Sequence, residues 1–229
     1  MSIAKIALLS IDAAGMKLSG TPPHRLPPQK HIIPDWREKF LKSLATPCVY
    51  VRLLFWTCEL LEAIAIIVQH TACAPLASML TFESGSLAAI RITPLFLFGV
   101  FLNVTGTLLR VRCYSELGPQ FTFELSLFDD HFLVGPYAVV RHPSYTALIV
   151  TIIGHFCSIA SGSWVAESGV MRTAIGRALA MFWSGTLGGV ILSLILRIPR
   201  EDNMLQEHFG NEWDTWATMV PYRLIPGVY

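Results

Sequence analysis

Charge is what this sequence has least of. Of its 229 residues only 14% are Asp, Glu, Lys or Arg, while 53% are hydrophobic and the mean hydropathy is +0.52. Soluble domains carry about 25% charged residues, so a membrane protein is expected. The basic residues form no block and the formal net charge is +1, which removes the electrostatic footprint of nucleic-acid binding. Paired cysteines are also missing. Cys48, Cys58, Cys73, Cys113 and Cys157 are odd in number, far apart and without a CxxC pair. That excludes a disulfide framework or zinc site, so no metal is expected and each thiol reads as a small buried hydrophobe. The apolar run Ile6 to Ile11 follows Lys5 and stops at Asp12. It fits neither a signal peptide nor a span of about 20 residues and is expected to be a helix lying on the membrane surface.

What is abundant is uncharged apolar sequence. The stretches 92–109 and 178–196 hold no charge, and 145–166 contains no Asp, Glu, Lys or Arg, with His155 its one ionisable group. A further stretch, 48–70, is apolar but interrupted by Arg52, Glu59 and Glu62. Charges at that depth must face protein or water, and the i, i+3 pair Glu59 and Glu62 reads as a satisfied polar face toward the bundle. His155 receives the same structural reading. Gly185, Gly188 and Gly189 suggest close helix packing. The expected fold is an all-α integral membrane bundle of about four transmembrane helices. Residues 1–46 form a proline-bearing, irregular lead-in, and 47–229 the membrane domain with a C-terminal segment from 197. Between 112 and 144, alternating Phe121, Phe123, Leu125 and Leu127 before Asp129 and Asp130 suggest a short hairpin.

Orientation follows from Lys and Arg. Eight occur through Arg52, three in 110–144 and three from 197 onward, against Arg91, Arg172 and Arg177 on the other side. The positive-inside rule then puts both termini and the 110–144 loop in the cytosol.

Two polar stretches therefore share a side. The first is Gly135 to Tyr145, GPYAVVRHPSY. Pro143 suits the first turn of a helix, and backbone N–H groups beside Arg141 and His142 suit a carboxylate, although both residues also read as ordinary interfacial caps. The second is Arg197 to Tyr222, RIPREDNMLQEHFGNEWDTWATMVPY. Arg197 and Glu201 lie four apart on one helical face, either as an anion-holding Arg steadied by a carboxylate or as a plain surface pair. Helix is expected to continue through Met204, Leu205 and Phe209 and to stop at Gly210.

GPY with RHPSY, an apolar span, and then R-x-x-x-E-D-x-x-L-x-x-x-F-G-x-x-W-x-x-W-x-x-x-V-P resemble the isoprenylcysteine carboxyl methyltransferase family. The resemblance covers roughly the last hundred residues. It implies S-adenosyl-L-methionine as donor, held on the cytosolic side by the C-terminal half, and a prenylated or lipid-like carboxylate arriving from the bilayer. By position, Tyr137, His142, Tyr145, Val220 and Pro221 would belong to the donor site, and Arg141, Arg197 and Glu201 to the reacting end. Asp202 stands where many relatives have Glu, and Trp213 and Trp216 where Tyr is usual. The resemblance also points to the endoplasmic reticulum in a eukaryotic source. Against this reading of a carboxyl methyltransferase stand a phospholipid or amine N-methyltransferase, in which Glu201 would act as base, and, more distantly, a non-enzymatic membrane scaffold.

Overall fold

The computed structural model describes residues 3–21, 36–71, 73–83, 85–117 and 135–229. The expected hairpin around Phe121 to Asp130 and most of the proline-bearing stretch lie outside them. The described residues form helices and short turns with no strand: α1 (Ala4–Gly20), α2 (Trp36–Ser43), α3 (Ala45–Thr71), α4 (Ala74–Met79), α5 (Pro94–Leu117), α6 (Pro143–Ala160), α7 (Trp164–Glu167), α8 (Ala174–Phe209) and α9 (Asn211–Met219).

Among the described helices three, rather than four, are long and apolar enough to cross a membrane by themselves: α5, α6 and α8. They mark the chain as an integral membrane protein. The fourth expected span, α3, exists as a 27-residue helix, but Arg52, Glu59 and Glu62 interrupt its apolar surface. Glu59 and Glu62 are buried, as their spacing suggested. Glu62 pairs with Lys5 at 2.6 Å and accepts the Trp164 backbone N–H at 2.8 Å.

That Lys5 contact overturns the reading of the N-terminal segment. Helix α1 does not lie on a surface; it packs against α3, α5 and α6 inside the bundle. Its buried Lys5 also donates to the Arg91 and Gly162 carbonyls, at 2.9 and 2.7 Å. Midway along, Asp12 meets His155 of α6 at 3.5 Å and Asn103 of α5. At its end, the Ser19 carbonyl accepts from Arg110 and Tyr114. At 1.5 Å per residue, α1 is about 25 Å long and runs the height of the bundle. Its start therefore lies at the Arg91–Gly162 end, opposite the end that holds Arg141 and the C-terminal segment. The first and last described residues thus lie at opposite ends of the bundle, because α1 runs along its height instead of lying flat beside it.

The tightest packing joins α5 and α6, antiparallel. A Cβ at Gly106 would meet Thr151 Oγ1 at 2.4 Å and the Ala147 carbonyl at 2.7 Å, and one at Gly154 would meet Asn103 N at 2.7 Å. Missing side chains here let two backbones approach. The glycines expected to do this in α8 do not: Gly185 and Gly188 face nothing within 4 Å, and Gly189 meets the Leu44 side chain at 3.5 Å.

Helix α8 has 36 residues, about 54 Å at 1.5 Å per residue, which exceeds a hydrocarbon core of about 30 Å. Its uncharged part ends at Leu196, so the turns from Arg197 onward rise beyond the apolar zone. The helix runs through Pro199 and stops at Gly210, whose φ of 53° favours glycine. That overhang positions the site.

Candidate active site

Both polar stretches meet at the α8 overhang. Pro143 is the first residue of α6, where its missing N–H costs nothing. A single turn of 3-10 helix, Gly135–Ala138, leads into it. From α8 come Arg197, Glu201 and Asp202, and from beyond α9 comes a strap, residues 220–229, that folds back over the start of α6.

Asp202 is the hub. Its side chain is only 3% exposed and accepts from His142 Nε2 at 2.9 Å, Arg141 Nη1 at 3.2 Å and Arg223 Nε at 2.9 Å. Burial works against the ionised form of this carboxyl, but the hydrogen bond and charge of His142, with the charges of Arg141 and Arg223, hold it below the usual carboxylate range. In sequence Asp202 stands out only as the residue where many relatives of the family pattern have Glu. Its signal was a second acid directly after Glu201, which a 3.6-residue turn directs about 100° around α8, toward other partners.

Arg141 faces the strap. Its Nε donates to the Val220 carbonyl at 2.9 Å and its Nη2 to the Ala217 and Pro221 carbonyls at 3.3 Å each. The guanidinium lies over the Trp213 ring, 5.2 Å from the centroid, which gives that Trp the role of a platform. Just before the helix, Arg141 N donates to the Tyr222 carbonyl and His142 N to the Arg223 carbonyl, both at 2.9 Å, and in its first turn Tyr145 N and Thr146 N turn back to the His142 carbonyl at 3.0 and 3.2 Å. Thr146 Oγ1 fastens the Leu224 carbonyl at 2.7 Å. The α6 start is thus capped by the chain itself. Val220 is buried and Pro221 exposed, and both meet Arg141 through their carbonyls.

Tyr145 and Glu201 form the more open half. The Tyr145 hydroxyl donates to Glu201 Oε2, which lies 3.5 Å from Arg197 Nε. The expected i, i+4 pair is present, with Arg197 buried and Glu201 about one quarter exposed. His142 stacks on Tyr145, ring centroids 5.3 Å apart and planes within 14°, and its Nδ1 lies 3.9 Å from Glu201. Tyr137 completes this side beside Cys113, and burial, reinforced by Cys113, Glu201 and Tyr145, pushes its phenol far above the ordinary range. It remains a protonated donor.

Every sequence-predicted site residue is therefore at this end, divided into two groups. Arg141, Val220 and Pro221 hold the strap. Tyr137, Arg197 and Glu201 gather around the stacked rings of His142 and Tyr145, with the partly exposed Glu201 carboxylate beside the buried Arg197 guanidinium. Aromatic faces beside a carboxylate suit a sulfonium cation, and an adjacent Arg suits a carboxylate. The residues present thus fit a methyl donor with its acid acceptor.

Residues 99–175 match the model of the isoprenylcysteine carboxyl methyltransferase (ICMT) family. The matched stretch takes in α5, the GPY and RHPSY motifs and α6, while Arg197 to Pro221 lies beyond it, so the resemblance in that part rests on the residues themselves. Protein-S-isoprenylcysteine O-methyltransferase B of Arabidopsis thaliana is 24% identical over 128 residues, 54% of this chain. The chain spans just over half, 56%, of that relative's length.

Proposed function

We propose that the protein is an S-adenosylmethionine-dependent methyltransferase of the membrane that converts the carboxylate of a prenylcysteine or similar lipid-like acid into a methyl ester. One observation carries this reading: Arg197, Glu201 and Tyr145, drawn from both motif stretches, stand together where α8 leaves the apolar zone. The printed name of the plant relative supports the acceptor class. The site end faces the cytosol, with the C-terminal segment, and the membrane is that of the endoplasmic reticulum.

When bound, S-adenosylmethionine supplies an electrophilic methyl group on a sulfonium. Tyr137, His142 and Tyr145 provide the aromatic faces and the hydroxyl that hold the donor. Arg197 orients the acceptor carboxylate, and Glu201 steadies Arg197 while balancing the donor's positive charge. A carboxylate acceptor is already ionised at neutral pH, so no residue need act as base. Catalysis then rests on proximity, orientation and exclusion of water. Asp202, Arg141 and Arg223 keep the strap closed behind these residues.

Purified protein in detergent, incubated with methyl-labelled donor and a prenylcysteine, a terpenoid acid and a phosphatidylethanolamine, tests the reading. Label released by mild base from an acid acceptor is expected. Label on the amine alone would convert Glu201 into a general base and replace the carboxyl reading with N-methylation. Calorimetry showing no donor binding would leave a scaffold.

A further inference from the structure

Arg110 is buried, 4% exposed, in the middle of the bundle's site end and belongs to neither motif stretch. Its Nε donates to the Ser19 carbonyl at 2.7 Å, where α1 ends. Its Nη1 donates to both the carbonyl and the hydroxyl of Ser144, each at 2.7 Å. Tyr114, one helical turn further along α5, donates to the same Ser19 carbonyl at 3.0 Å and lies beneath the guanidinium, 5.5 Å from ring centroid to Cζ. Ser144 is the second residue of α6 and immediately precedes Tyr145, the donor to Glu201.

We infer that Arg110 is a positioning residue for methyl transfer, fixing the first turn of α6 against α1 so that the Tyr145 hydroxyl is directed at Glu201. The inference rests on the proposed methyltransferase reading. A guanidinium is planar and its donors are held in a rigid fork. Gripping Ser144 through two oxygens with one nitrogen, while another nitrogen is anchored on a different helix, fixes the rotation of the α6 start about its own axis. Pro143 contributes no N–H to that start, and the His142 and Arg141 N–H groups are committed to the strap. Arg110 therefore supplies the restraint on the opposite, bundle-facing side. Successive side chains on a helix are set about 100° apart, so a small rotation at Ser144 carries directly into the Tyr145 hydroxyl. Misplacement of a reacting group by about 1 Å can cost on the order of 100-fold in rate. The arrangement also gives α1 a part in catalysis, through a backbone carbonyl that no side-chain pattern would reveal.

The test is a double-mutant cycle on full-length protein with the acid acceptor found active for the wild type. Arg110→Met is expected to lower kcat about 10- to 100-fold and to raise the donor dissociation constant no further than Tyr145→Phe does, since it acts through the same hydroxyl. Arg110→Lys should recover only part of the loss, because it restores charge but not the fork. Ser144→Ala, a milder change that keeps the fold if Arg110→Met does not, should lower kcat about two- to fivefold. The decisive readout is coupling: if Arg110 and Ser144 act through Tyr145, adding either change to Tyr145→Phe costs little beyond Tyr145→Phe alone. Multiplicative losses, or wild-type kcat in folded Arg110→Met, would overturn the inference and leave Arg110 a packing residue. If the wild type itself transfers no methyl group to any acceptor, the parent reading fails and the role of Arg110 falls with it.

Discussion

Two polar clusters occupy this apolar protein, and they differ in how their charges are met. At the site end, Asp202 receives three donors, and Glu201 sits between a hydroxyl and a guanidinium. In the bundle interior, Asp12, Glu59, Asn103 and His155 converge from α1, α3, α5 and α6. There Asp12 Oδ2, Glu59 Oε2 and His155 Nε2 have no hydrogen-bond partner among the described residues. The first cluster joins the starts of α6 and the strap to the end of α8 and leaves Glu201 partly exposed. The second joins four helices, and with Lys5 and Glu62 above it, it fixes α1 within the bundle. Polar groups inside a membrane protein thus divide by what they hold: the interior cluster should govern stability and the site-end cluster turnover.

The largest effect should break the interior side of that comparison. Lys5→Met leaves Glu62 buried without its cationic partner, and the loss is expected to be about 4 kcal/mol, read as a lowered detergent unfolding midpoint. Turnover per folded molecule should stay near wild type. Next, Asp202→Asn removes the carboxylate shared by Arg141, His142 and Arg223. About 3 kcal/mol of local stability should be lost, and limited proteolysis should cut the strap at Arg223 far faster than in wild type while the bundle stays intact. On the catalytic side, Arg197→Ala should reduce turnover about 100-fold, on the order of 2.7 kcal/mol in the barrier, with the unfolding midpoint almost unmoved. Near-normal activity would remove Arg197 from the site.

The smallest effect is one of pH. Asp202 has its pKa lowered from 3.8 on folding, so its contribution is complete above that value and is lost as pH falls through 3.8 toward the lower folded value. Strap protection against an acid-stable protease should therefore be flat from pH 7 to about 5 and decline only in stronger acid, below the ordinary carboxylate range. Loss of protection near pH 6 would contradict the Asp202 assignment.

The three most apolar helices were legible because uncharged runs of that length have few alternatives in water. The α8 overhang and its stop at Gly210 were legible from the shift to polar sequence and the glycine. Helix α1 was not, since Lys5 and Asp12 made a six-residue apolar run look like a surface segment. Their partners, Glu62 and Arg91 for one, His155 and Asn103 for the other, lie dozens of residues away, and no local pattern joins them. The same distance hid the reason for His155. At the site, the i, i+4 spacing of Arg197 and Glu201 and the two motif stretches brought the right residues together. The strap defeated local reasoning: the Arg141 and His142 N–H groups that lead into α6 are used by carbonyls about 80 residues further on.

The strap also orders events during synthesis. Helices α5, α6 and most of α8 can enter a bilayer while the chain is still being made, but Val220, Arg223 and Leu224 leave the ribosome after all of them. Until they do, Arg141 and the α6 start lack their partners, and Asp202 lacks Arg223. This end of the bundle is therefore completed only once the strap is in place, and a chain cut after Met219 would insert into the membrane with Arg141 missing the Val220 carbonyl and Asp202 missing Arg223.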